Sequence, residues 1–124
     1  MKKILIVEDE KLLSEMYYDK FSQEGYGVFL AFDSEEGMAL AKKEKPDLII
    51  LDILLPKENG LQFLAKLRHE IGISSTPVIA FSNYDAPDAK KEASALGVKE
   101  YLIKTNYTPQ QILEKVRSYL TTSE

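Results

Sequence analysis

The sequence predicts an α/β domain: one open, parallel, five-stranded sheet with five helices on its two faces. Three observations carry this. Short apolar runs rich in β-branched residues alternate five times with segments whose apolar residues recur every three to four positions. One run, Leu48-Ile49-Ile50-Leu51, is apolar throughout, as a strand covered on both faces must be. It leads straight into Asp52, and an unpaired buried carboxylate is costly. Asp52 is therefore expected at the strand's carboxyl end, where open α/β sheets place their ligand crevices.

At 124 residues the chain is expected to form a single domain over 1–124, large enough to bury a core without staples. It has no cysteine, which excludes disulfides and thiolate metal sites and fits a cytoplasmic location. No apolar run approaches the roughly 18 residues that span a bilayer, so no membrane contact is expected. Lys2-Lys3 precedes an apolar run too short for a signal-peptide core, and that run reads as a strand. A net charge of −4 weighs against direct contact with nucleic acid, which needs a basic footprint.

Taken in order, Lys3 to Val7 is the first strand, followed at once by Glu8-Asp9-Glu10. The next helix places Leu12, Leu13, Met16, Tyr17 and Phe21 on one face and ends at Gly25. Gly27 to Ala31 is the second strand. Asp33 or Ser34 caps the second helix, with Glu36 closing a capping box back to Asp33. Met38 to Ala41 give it an apolar side, and Lys45-Pro46 ends it. After the Asp52 strand a helix starts near Glu58 and carries Leu61, Phe63, Leu64 and Leu67. Pro77 opens the strand Val78 to Phe81, and Ser82-Asn83-Tyr84 is a loop. Asp85 is expected to cap a helix with Pro87 in its first turn, closed by Leu96-Gly97. Val98 to Ile103 is the fifth strand, with Lys99 and Glu100 protecting an edge. Thr108-Pro109-Gln110-Gln111 starts the last helix, whose apolar face is Ile112, Leu113, Val116, Tyr119 and Leu120.

Parallel strands with right-handed crossovers put every carboxyl end on one rim. That rim gathers Glu8, Asp9, Asp52, Ser82 and Lys104. Carboxylate pairs about 5 Å apart repel by roughly 3 kcal/mol at an effective dielectric near 20, so the site must protonate or bind a cation. An all-oxygen donor set suits Mg²⁺ far better than Zn²⁺. Carboxylates, a hard divalent cation, a lysine and a hydroxyl together fit a phosphoryl group.

Val7-Glu8-Asp9-Glu10, Leu51-Asp52-Ile53-Leu54-Leu55-Pro56 with Gly60, Ala80-Phe81-Ser82-Asn83 and Tyr101-Leu102-Ile103-Lys104 resemble the receiver domain of two-component response regulators, across the whole chain. The resemblance implies a flavodoxin-like, CheY-like sheet of strand order 2-1-3-4-5 and a phosphorylation switch rather than an enzyme acting on other substrates. It implies that Asp52 is the phosphoacceptor, loaded by a sensor histidine kinase or a phosphotransfer protein. Asp9, Asp52 and the Leu54 backbone carbonyl would bind Mg²⁺ directly, and Glu8 through water. Lys104 and Ser82 would contact phosphoryl oxygens, and Ser82 and Tyr101 would form the switch. The fourth helix, fifth strand and last helix would meet a downstream partner or output domain. Tyr84 would stand at the site mouth. Two positions depart from the family pattern: Glu8, where Asp is more usual, and Thr105, where a proline after a cis bond is frequent. A trans Lys104–Thr105 bond is therefore expected.

Two other classes compete with the switch. One is a receiver-like module that binds proteins without phosphorylation; the complete acid set and Lys104 weigh against it. The other is an enzyme on a similar sheet. A flavin binder would want a glycine-rich phosphate loop where this chain is acidic, and an aspartyl phosphatase a second Asp where it has Leu54. His69, late in a helix and distant from every motif, reads as a solvated residue at the helix's negative end.

Overall fold

The computed structural model describes residues 1–121. Residues 122–124 of the expected domain lie outside the described ones. The elements are β1 (Lys3–Val7), α1 (Lys11–Gln23), β2 (Gly27–Ala31), α2 (Ser34–Glu44), β3 (Leu48–Leu51), α3 (Gly60–Leu67), β4 (Val78–Ser82), α4 (Pro87–Ala95), β5 (Glu100–Ile103), a short 3₁₀ turn (Lys104–Asn106) and α5 (Pro109–Leu120). The five strands pair in parallel in the order β2-β1-β3-β4-β5, as the resemblance implied.

The period-two alternation of the strands divides the core in two. Leu5, Val7, Ile49, Leu51, Val78 and Ala80 face α2, α3 and α4, where Ala41, Phe63, Leu64, Leu67 and Ala93 cover them. Ile4, Ile6, Leu48, Ile50, Ile79, Phe81 and Leu102 face α1 and α5, covered by Tyr17, Phe21, Ile112, Leu113, Val116 and Leu120. Register then sets the rim. Val7 pairs with Leu51, and Ser82 with Ile103, so Glu8 and Asp52 leave the sheet level with each other, and Lys104 follows beside Ser82.

The α5 start is as expected, with Thr108 and Gln111 forming a capping box around Pro109. Several local expectations give way to other partners. Leu12 is 82% exposed; the inward position of α1 goes instead to Ser14, whose hydroxyl donates to the Glu8 carbonyl at 3.3 Å. The Asp33 side chain caps α2, but Glu36 accepts from the N–H of Phe32, one residue before Asp33. Lys45-Pro46 ends α2 as expected, with Lys45 leaving the helix in left-handed geometry, φ 49°. Helix α3 starts at Gly60, two residues after Glu58, because Asn59 and Gln62 form a capping box there. Ser82 is the last residue of β4 rather than a loop residue. Asp85 does not cap α4; Ala86 holds that position without a side-chain bond, and Asp85 pairs with Lys90 at 2.5 Å. Strand β5 begins at Glu100, since the Val98 N–H donates back to Ala93. It lies at an edge, where Glu100 is paired with Lys115 and Tyr119. Every described peptide bond is trans, including Lys104–Thr105.

Gly60 matters most for the site, because α3 starts hard against the end of β3. Its N–H donates to Ile53 at 2.8 Å, and a Cβ there would lie 2.4 Å from the Asp52 carbonyl and 2.7 Å from Ile53 Cα. Backbone cannot move aside cheaply. Gly60→Ala is expected to cost about 2–4 kcal/mol, read as a drop in urea midpoint. Gly25→Ala, at φ +92° but with nothing within 4 Å, should cost only about 1–2 kcal/mol.

Candidate functional site

The rim residues converge as the register requires. Glu8, Asp9 and Asp52 each offer a carboxylate oxygen, and these lie within 4.8 Å of one another. Glu8 and Asp52 are buried, while Asp9 is exposed. Lys104 projects among them. Its ammonium is 2.6 Å from Glu8 Oε1, 2.9 Å from Asp52 Oδ2 and 3.5 Å from Glu10 Oε2.

Backbone N–H groups hold the other carboxylate oxygens. Leu54 donates to Asp52 Oδ1 at 3.0 Å and Glu10 to Glu8 Oε2 at 2.9 Å. Below them lies a narrow apolar cleft floored by Ile6, Ile50, Tyr17 and Phe81. Tyr17 meets Phe81 edge-on at 5.8 Å. Burial in this setting pushes the Glu8 carboxyl up to about 7, against the opposing bonds from Lys104 and the Glu10 N–H. Burial also works against the Lys104 ammonium, but its bonds to Glu8 and Asp52 outweigh that and hold it above the ordinary lysine range.

The donors are all carboxylate oxygens, and Lys104 already seats one positive charge between two of them. That chemistry fits a hard divalent cation such as Mg²⁺. Leu54 stands beside Asp52 with its side chain half exposed.

Ser82 is fully buried at the end of β4, and its Oγ accepts from the Tyr84 N–H at 3.1 Å. The Tyr101 hydroxyl donates to the Tyr84 carbonyl at 2.6 Å. Its phenol is raised above the usual range by burial and by the negative charge of Asp52. Tyr84 thus joins the two residues expected to form the switch, a link that lies in backbone atoms and leaves no trace in the sequence. His69 is exposed, with Nδ1 3.0 Å from the Ala65 carbonyl, apart from this group. Sequence reasoning gave no role to Glu10, though the acidic run Glu8-Asp9-Glu10 was its signal.

Three comparisons bear on this pocket. A family model for the response regulator receiver domain matches residues 4–117. The alkaline phosphatase synthesis transcriptional regulatory protein PhoP of Bacillus subtilis is 33% identical over 123 residues, 99% of this chain and 50% of that protein. The transcriptional regulatory protein CiaR of Streptococcus pneumoniae is 42% identical over 107 residues, 86% of this chain and 46% of that protein. The chain therefore spans about half the length of these curated relatives. Among solved structures, the CheY-like response regulator receiver domain protein of Methanospirillum hungatei superposes with a TM-score of 0.90 at 28% identity, covering 97% of this chain and 94% of that one.

The raised Glu8 carboxyl has a thermodynamic consequence. Its folded pKa, about 7, lies above the ordinary 4.5, so the folded state binds more proton between these values. The associated stability is present below the lower value and is lost as pH rises toward the upper one. In EDTA, the urea midpoint should therefore fall across this window, by a free energy on the order of 1–3 kcal/mol. Glu8→Gln should flatten the slope, and millimolar Mg²⁺ should oppose it, because the cation selects the ionised carboxylate.

Proposed function

The chain belongs to the response regulator receiver domain family, and on that footing we propose that Asp52 is its phosphoacceptor and that residues 1–124 form one receiver domain. Receiver domains of this family act as phosphorylation switches in two-component signalling. The observation that carries the Asp52 assignment is the ammonium of Lys104 held between the buried carboxylates of Glu8 and Asp52. A lysine placed there is positioned to exchange a carboxylate for a phosphoryl oxygen.

In the proposed reaction an Asp52 carboxylate oxygen attacks phosphorus in line. The bond from phosphorus to the donor's leaving atom breaks as the acyl phosphate forms. With a sensor histidine kinase or phosphotransfer protein as donor, the electron pair goes to an imidazole nitrogen. Mg²⁺, when bound, would neutralise charge on the transferred group. Asp9, Asp52 and the Leu54 carbonyl would hold it directly and Glu8 through water. The chain acts only on its own acyl phosphate, forming it and hydrolysing it.

Ser82 Oγ accepts from Tyr84, so its own proton is available to a phosphoryl oxygen. Drawing Ser82 toward that oxygen strains its bond to the Tyr84 N–H. The carbonyl of the same residue holds the Tyr101 hydroxyl, so the displacement passes to β5. The phosphoryl group favours the shifted arrangement only by its preference for it. The face made by α4, β5 and α5 would then engage a downstream partner or an output domain. A cytoplasmic setting fits this chemistry; no described helix is long and apolar enough to cross a membrane.

Asp52→Asn should abolish acid-labile phosphate uptake from acetyl phosphate in the presence of Mg²⁺. Uptake retained in that variant would remove the assignment.

A further inference from the structure

Glu10 belongs to the acidic run, yet the reaction above gives it no task. Its Oε2 lies 3.5 Å from the Lys104 ammonium and its side chain is 55% exposed. Glu8 and Asp52 reach the same ammonium from buried positions. Glu10 therefore stands at the solvent side of the pocket, in reach of the lysine that must turn to an arriving phosphoryl group. With it, three carboxylates reach one ammonium, and Asp9 stands beside Glu8 and Asp52.

We propose that Glu10 is a specificity-determining residue of the phosphorylation site, a carboxylate gate that favours entry of the divalent cation and opposes small dianionic phosphodonors. The inference rests on Asp52 being the acceptor. A bound divalent cation and the ammonium offset the buried acids, and Glu10 adds a further negative charge on the exposed side, within reach of Lys104. Acetyl phosphate arrives as a dianion near neutral pH and meets that charge at the mouth. Phosphoramidate carries one net negative charge there and meets about half the repulsion. Glu10 also competes for the ammonium that the donor needs. Its influence acts through solvent, so added salt weakens it.

The test compares Glu10→Gln, Glu10→Asp and Glu15→Gln in the full chain. Glu15→Gln removes the same charge from an exposed position further along α1. Calorimetry with Mg²⁺ alone should show Glu10→Gln binding the metal about three- to tenfold more weakly. At saturating Mg²⁺ the same variant should take phosphate from acetyl phosphate about three- to tenfold faster, with a smaller gain from phosphoramidate, and the gain should shrink at high salt. Glu10→Asp should restore wild-type behaviour, and Glu15→Gln should move neither quantity. A merely structural residue would not shift metal affinity and donor rate in opposite directions. If Glu10→Gln matches Glu15→Gln in both measurements, the gate is overturned while Asp52 stands as acceptor. If the wild-type chain takes no phosphate at Asp52, both are overturned.

Discussion

Mutual repulsion among carboxylates that the sheet forces together is the constraint on which this molecule depends. Pairing of Val7 with Leu51 fixes Glu8 and Asp52 side by side before any side chain chooses a rotamer. Pairing of Ser82 with Ile103 brings Lys104 to the same rim from the other side of β3. Lys104 thus offsets a repulsion that the core itself creates. Its pairs with Glu8 and Asp52 are buried, where desolvation cancels much of the Coulomb gain, but removing one member leaves a buried charge alone. In the proposed switch, an arriving phosphoryl group would take over one of these pairings by supplying equivalent charge. The opposite rim is held by different means: the Arg68 guanidinium donates to the carbonyls of Leu96 at 2.7 Å and Thr76 at 2.6 Å.

The same alternation that splits the core also divides the site. Glu8, Asp52 and Lys104 continue the parity of Ile6, Ile50 and Leu102, above α1 and α5. Ser82 and Tyr101 carry the other parity, and Tyr101 packs with the cluster under α2, α3 and α4. In the proposed switch, the acceptor side and the Ser82–Tyr101 pair therefore carry opposite parities at one rim of the sheet. The Tyr84 backbone connects them, receiving the Tyr101 hydroxyl on its carbonyl and sending its N–H to Ser82.

The fold was legible because hydrophobic period and parallel topology are sequence-level quantities. Leu48 to Leu51 could only be a strand covered on both faces, and five βα repeats leave few topologies. The site was legible for the same reason, since a parallel sheet brings every strand end to one rim. What escaped was local competition for hydrogen bonds. Asp85 turned to Lys90 instead of capping α4. The bond from Tyr101 to Tyr84 runs from a side chain to a carbonyl seventeen residues away, which no spacing rule encodes. Glu10 lay in plain view, but its reach to Lys104 depends on how β5 ends.

The two departures from the family pattern bear on this balance in different ways. Thr105 continues from Lys104 through a trans bond into the 3₁₀ turn, and Lys104 still reaches Glu8 and Asp52, so the turn does the positioning that a cis proline would otherwise suggest. Glu8 has the larger effect. Its length lets one carboxylate span from the Lys104 ammonium to the N–H of Glu10, the N-cap residue of α1. A single buried group is then claimed by a proton, by an ammonium and, when present, by a divalent cation. In the proposed switch, that competition at Glu8 would come before the arrival of any phosphoryl donor.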